Sequence, residues 1–138
     1  MVQNYSNLTL ENVILRGTST DQYVLSNNCG VIHLKGNTQI LATGYTGSKE
    51  NVAFDLWYGM SAVYDEGVIV YIDDPTVVIQ GPIEFGHASR ITDEDQFLDR
   101  THLYVCEGYD LSSLRIPEGY HFVLSNTVPG YYDLRPVS

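Results

Sequence analysis

The sequence predicts an all-β domain built as a repeating parallel solenoid, and three observations carry that expectation. Stretches 30–44 and 67–81 share one design: a β-rich run, a polar turn at Gly36-Asn37 or Asp73-Asp74-Pro75, a second β-rich run and a closing glycine. Their opening glycines, Gly30 and Gly67, lie 37 positions apart, the self-similarity expected of stacked structural units. Outside 91–100 no stretch has the apolar period of a helix, whereas two-residue alternation recurs.

In chain order, Leu8 and Leu10, then Val13 and Leu15, read as two half-buried strands meeting at a Glu11-Asn12 corner. Residues 23–25 are a short strand, followed by 31–34 and 39–42 on either side of the Gly36-Asn37 turn. The run 52–58 places Val52, Phe54 and Leu56 on one face, and 62–64 is a further short strand. Strands at 68–72, 77–79 and 83–85 follow. Thr92 with Asp95 has capping-box spacing, so a helical turn or two is expected over 91–100, with Phe97 and Leu98 facing inward. Strands resume at 102–106, 114–116 and 121–124, and the tail 128–138 is expected to be extended. The starts of comparable strands, Leu8, Val31, Val52, Val68, Ile83, Leu103 and His121, are 15 to 23 residues apart, read as one coil each. An antiparallel β-sandwich is the alternative. No Asn-Gly or Asp-Gly dipeptide is present to mark two-residue hairpins, which favours the solenoid.

Composition narrows the function. With 43% hydrophobic residues, residues 1–138 can bury a core as a single domain, expected to be a fragment or module of a longer protein. The net charge of −10 repels phosphate backbones and anionic lipid, which argues against nucleic-acid and membrane-surface partners. No apolar run reaches the length of a membrane span. Two cysteines, Cys29 and Cys106, are too few for a disulfide framework and are expected as unpaired buried thiols.

The stretches 8–17 (LTLENVILRG) and 30–38 (GVIHLKGNT) resemble the right-handed parallel β-helix of the pectin-lyase-like superfamily, and more narrowly the adhesin-like surface β-helix proteins of gut bacteria. The resemblance implies a single-stranded right-handed parallel β-helix of five to six coils. It also implies a bacterial, extracellular or cell-surface location and a glycan or host-surface ligand. Inward residues would stack in ladders, here Leu10, Leu34, Leu56 and Ile72, with corners at Asn12, Asn37 and Asp74. Open ends of such a stack make end-to-end self-association a further expectation.

No catalytic set is expected. Asp73-Asp74, Gly86-His87 and Arg90-Ile91 resemble elements of β-helix polygalacturonases, but Ala88 and Thr92 follow where that pattern has Gly and Lys, and its Asn-Thr-Asp element is missing. Asp73-Asp74-Pro75 reads more simply as a turn. The carboxylates Asp93, Glu94, Asp95 and Asp99 read as a solvated helix start, and His33, His87, His102 and His121 lack metal-ligand spacing. Neither a metal nor a cofactor is therefore expected. The functional lead is aromatic: Trp57, Tyr58, Tyr64 and Tyr71 fall in adjacent expected strands, and exposed rings are surfaces on which sugar faces stack. The reading is a non-catalytic binding module; a degenerate carbohydrate-active enzyme and a structural spacer are the alternatives.

Overall fold

Two-residue alternation becomes strand along most of the chain. The computed structural model describes residues 1–18, 21–42, 44–59 and 67–137. Its strands are β1 (Val2–Asn4), β2 (Asn7–Glu11), β3 (Ile14–Arg16), β4 (Tyr23–Asn28), β5 (Val31–Lys35), β6 (Gln39–Leu41), β7 (Tyr45–Thr46), β8 (Lys49–Glu50) and β9 (Val52–Tyr58). They continue as β10 (Val68–Ile72), β11 (Val78–Gln80), β12 (Ile83–His87), β13 (Thr101–Cys106), β14 (Tyr120–Leu124) and β15 (Tyr131–Pro136). Helix α1 (Glu94–Arg100) precedes β13, and a 3-10 turn, Leu111–Ser113, follows it. The expected strand at 62–64 lies outside the described residues.

Three sheets carry the architecture. One is four-stranded, β1-β4-β9-β12, and one three-stranded, β11-β6-β3; both are parallel throughout. The third, β14-β15-β13-β10-β5-β2, is mixed, with parallel pairs from β2 to β13 and antiparallel pairs at β15 and β14. Strands β7 and β8 form a separate antiparallel hairpin. Consecutive strands enter different sheets: β2, β3 and β4 go to the six-, three- and four-stranded sheets, and β10, β11 and β12 repeat that order.

These sheets correct the expected architecture. The strands do not form one single-stranded right-handed parallel β-helix, because the six-stranded sheet is mixed. Past β13 the chain reverses into antiparallel β14 and β15 instead of adding another parallel strand. The antiparallel sandwich is not found either, since two of the three sheets are wholly parallel. Val52 and Ile83, counted above as coil starts beside Val31 and Val68, belong to a different sheet. Within the six-stranded sheet Asn7 pairs with Val31, Val31 with Ile69, and Ile69 with His102, so the true repeat is longer and uneven.

The core is built from the inward faces. Ile32, Val70 and Leu103 form one register row; Leu10, Leu34, Ile72 and Val105 form the next. Apart from half-buried Leu10, these side chains are fully buried. Leu56, expected in the same row, lies in β9 between Asn27 and Phe85. Asn27 is itself fully buried. Its amide donates to the carbonyls of Gly30 (2.8 Å) and Ile69 (3.1 Å), and its Oδ1 accepts from Asn4 Nδ2 at 3.0 Å. It thus supplies partners to backbone groups at the corner between β4 and β5 that water cannot reach.

Asn12 adopts the left-handed backbone expected of its corner, with φ 58°. At the next corner Gly36 takes that role (φ 61°) rather than Asn37, while Asp74 accepts the Gly36 N–H at 2.6 Å. The N-cap of α1 is Asp93, one residue after the expected Thr92, and its carboxylate accepts from Asp95 N and Gln96 N. Phe97 faces inward and Leu98 packs against the core. Both thiols are buried and unpaired. No helix among the described residues is long and apolar enough to cross a membrane.

Candidate functional site

Alternation along β9 fixes the site. Val52, Phe54 and Leu56 point into the core, so Ala53, Asp55 and Trp57 take the opposite face. Parallel register then sets their neighbours. Ser26 of β4 and Glu84 of β12 flank Asp55, and Gln3 of β1 lies beyond Ser26. Asn28 and Gly86 flank Trp57 in the same way.

Two adjoining depressions open on this face. One, of about 480 Å³, is lined by Gln3, Asp21, Ser26 and Asn28 among others. The other, of about 120 Å³, reaches Glu84 and Gly86. Tyr23, Asp55 and Trp57 line both, forming the divide between them. The indole lies over Gly86: a Cβ there would come within 2.8 Å of Trp57 Cε3 and Cζ3. Trp57 is nonetheless 37% exposed. Its N–H and the Asn28 carboxamide have no hydrogen-bond partner among the described residues, leaving both able to bond a ligand.

Asp55 is 6% exposed. Its Oδ1 accepts from Ser26 Oγ at 2.8 Å and from Asn27 N at 3.1 Å. Burial pushes its carboxyl up to about 6, and the Glu84 charge adds to the shift; the hydrogen bonds from Ser26 and Asn27 oppose it. Burial, then the Glu84 and Asp55 charges, push the Tyr23 phenol up to about 12. Two cations border the depressions: the Met1 ammonium is 3.6 Å from Asp21 Oδ1, and Lys49 stands at the Glu84 side. Lys49 Nζ is 3.8 Å from Glu84 Oε2 and 5.9 Å from the centre of the Tyr23 ring, within reach of a cation–π contact.

Of the aromatic residues singled out in the sequence, only Trp57 is at this site with its ring exposed. Tyr58 is fully buried, and its hydroxyl accepts from Gln96 Nε2 at 3.3 Å. Tyr71 belongs to the six-stranded sheet. There it stacks on His33 at 4.3 Å and on Tyr104 at 5.2 Å, with the edge of Tyr131 at 5.8 Å. Stacked in this way, its ring is occupied by neighbours. Tyr64 lies outside the described residues. The four residues therefore do not make a single platform.

The polygalacturonase-like elements do not form a common site either. Asp73 bonds His33 Nδ1 at 2.7 Å and the Tyr131 hydroxyl at 2.5 Å, beside the six-stranded sheet. His87, at the end of β12, is 3.5 Å from Glu94, and Arg90 donates to the Gly59 carbonyl. Sequence reasoning missed Tyr23, Ser26, Asp55 and Glu84. The available signal was alternation: placing Val52, Phe54 and Leu56 inward puts Asp55 and Trp57 together on the other face. Among the described residues no group of three or more His, Cys, Asp or Glu is placed to hold a metal ion.

Comparisons of this chain with protein-family models, with characterised proteins and with solved structures found no match. The resemblance to the pectin-lyase-like superfamily is accordingly corrected: no relative supports it, and the mixed six-stranded sheet does not continue a parallel stack.

Proposed function

We propose that the outward face of the four-stranded sheet binds saccharide, and that the chain is a non-catalytic binding module acting at a cell surface or outside the cell. The observation that carries this reading is the half-open Trp57 indole, set on Gly86 between two depressions and bordered by Asp55, Glu84 and Asn28. A sugar ring offers an apolar C–H face to an indole and hydroxyls to surrounding acceptors and donors. Sites of this kind combine apolar or aromatic walls with a few placed polar groups. A glycan-array measurement with the intact chain and with Trp57→Ala tests it. Retained binding by the folded variant, or no binding by the parent chain, defeats the reading.

A second reading, hydrolysis of a glycosidic bond, is favoured by one observation: a buried carboxyl held protonated to higher pH beside a second carboxylate, the pairing that such chemistry uses. Release of reducing ends from a polysaccharide, lost in Asp55→Asn, would establish it. Absence of release across neutral and acidic glycans leaves the binding reading alone.

A further inference from the structure

We propose that this groove selects an amine-bearing sugar, with the ammonium seated between Asp55 and Glu84 and the apolar face of the sugar on Trp57. The inference rests on the saccharide reading above and adds the charge of the ligand to it.

Three features point to a cation. Asp55 and Glu84 are register partners on adjacent parallel strands and project from one face, so two acidic groups face the same depression about 4.8 Å apart at the backbone. Asp55 spends one oxygen on Ser26 and Asn27, its own backbone N–H also bonds the carboxylate, and no side-chain donor reaches its second oxygen among the described residues. That atom belongs to a side chain that lines both depressions. Like charges so placed destabilise each other, and a cation between them relieves the repulsion.

The second feature is the chain's own ammonium. Lys49 Nζ sits against Glu84 and over the Tyr23 ring, which displays the coordination a ligand ammonium would use: a carboxylate on one side and an aromatic face on the other. Lys49 is about half exposed and is held only at the rim, so it leaves the Asp55 side open.

The third feature is selectivity against the alternatives. An acidic sugar would bring a carboxylate to Asp55, which lines both depressions, and to Glu84 at the smaller one; at the larger one Asp21 is paired with the Met1 ammonium. A neutral sugar would leave Asp55 without a cation, since Lys49 pairs with Glu84. A cationic sugar meets the indole and the Asp55 carboxylate together.

The test is calorimetric titration of the intact chain with the fully deacetylated β-1,4-glucosamine tetramer at about 0.15 M salt, where long-range attraction is screened. The N-acetylated tetramer and the glucose tetramer of the same linkage are run beside it. The glucosamine tetramer is expected to bind about tenfold or more tighter than either. Asp55→Asn and Glu84→Gln should each remove most of that preference, Trp57→Ala should abolish binding, and the exposed pair Glu107→Gln with Glu118→Gln should change nothing. If all three tetramers bind equally and Trp57→Ala abolishes each, the cationic preference is wrong while the saccharide reading stands. If Glu107→Gln with Glu118→Gln weakens binding as much as the site variants do, the effect is general attraction to an acidic chain and the proposal falls. If no tetramer binds, both fall. Half-exposed Glu84 provides the deciding variant should Asp55→Asn fail to fold.

Discussion

The indole of Trp57 lies on Gly86 of the neighbouring strand, with room there for a hydrogen and no more: a methyl group would sit 2.8 Å from two ring carbons. Gly86 is not in the left-handed region, so its backbone accepts alanine and the cost falls on the ring. Gly86→Ala should therefore swing the indole outward. Because Trp57 is the only tryptophan, its fluorescence reports the change directly. A red-shifted emission is expected, with stability altered by less than about 1 kcal/mol. Unchanged emission would mean that the ring does not rest on Gly86.

Asp55 makes stability depend on pH in a defined direction. Its folded value of about 6 lies above the ordinary 3.8, so between those limits the native state holds the proton that the unfolded chain has released. Its contribution is fully present below about 3.8 and is lost as pH rises through about 6. Two pH units correspond to at most about 3 kcal/mol. Denaturation of the parent chain and of Asp55→Asn at both ends of that window isolates the effect. The parent should lose stability relative to the variant as pH rises; a gain would reverse the assignment.

Leu34 and Ile72 are register partners in the inward face and both are fully buried. Truncating either to alanine should cost about 2–5 kcal/mol, measured by chemical denaturation. The double variant should be non-additive because the side chains stack directly. Ser48→Ala, in the exposed β7–β8 turn, should change stability by less than about 0.5 kcal/mol. Additive small losses would place these side chains outside the core.

How much of this was legible in the sequence depended on whether the information was local. The bounds of β10, Val68–Ile72, follow from a β-rich run between Gly67 and the Asp73-Asp74-Pro75 turn, and the inward face of β9 follows from alternation. Which sheet a strand joins is not local: Leu56 alternates as Leu34 does, yet stacks on Phe85 in another sheet. The site shares that difficulty, since Asp55 and Glu84 meet only through the parallel register of β9 and β12, which β10 and β11 separate in the chain. Trp57 was legible because an indole among strands is conspicuous by itself. The tail was read only as extended, because its pairing with β13 depends on a chain reversal that no Asn-Gly or Asp-Gly turn announces.

That tail closes a sheet edge. β15 pairs Asp133, Tyr132 and Tyr131 with Tyr104, Val105 and Cys106, and buries Leu134 completely. Deleting 128–138 should strip the β13 edge of its partner and open the core beside it. Unpaired edges recruit other chains, so concentration-dependent self-association and a lower melting temperature are expected by light scattering and thermal denaturation. A monomeric truncated chain with an unchanged melting temperature would show that β15 covers nothing essential.

Saccharide stacked on Trp57 would change the fluorescence of that single indole. Titration of the intact chain with the glucosamine, N-acetylglucosamine and glucose tetramers should give a saturable change in emission for at least the first, absent in Gly86→Val, where the ring is displaced. An emission spectrum that no tetramer alters, or a saccharide that binds by calorimetry without perturbing the indole, would show that saccharide does not stack on Trp57.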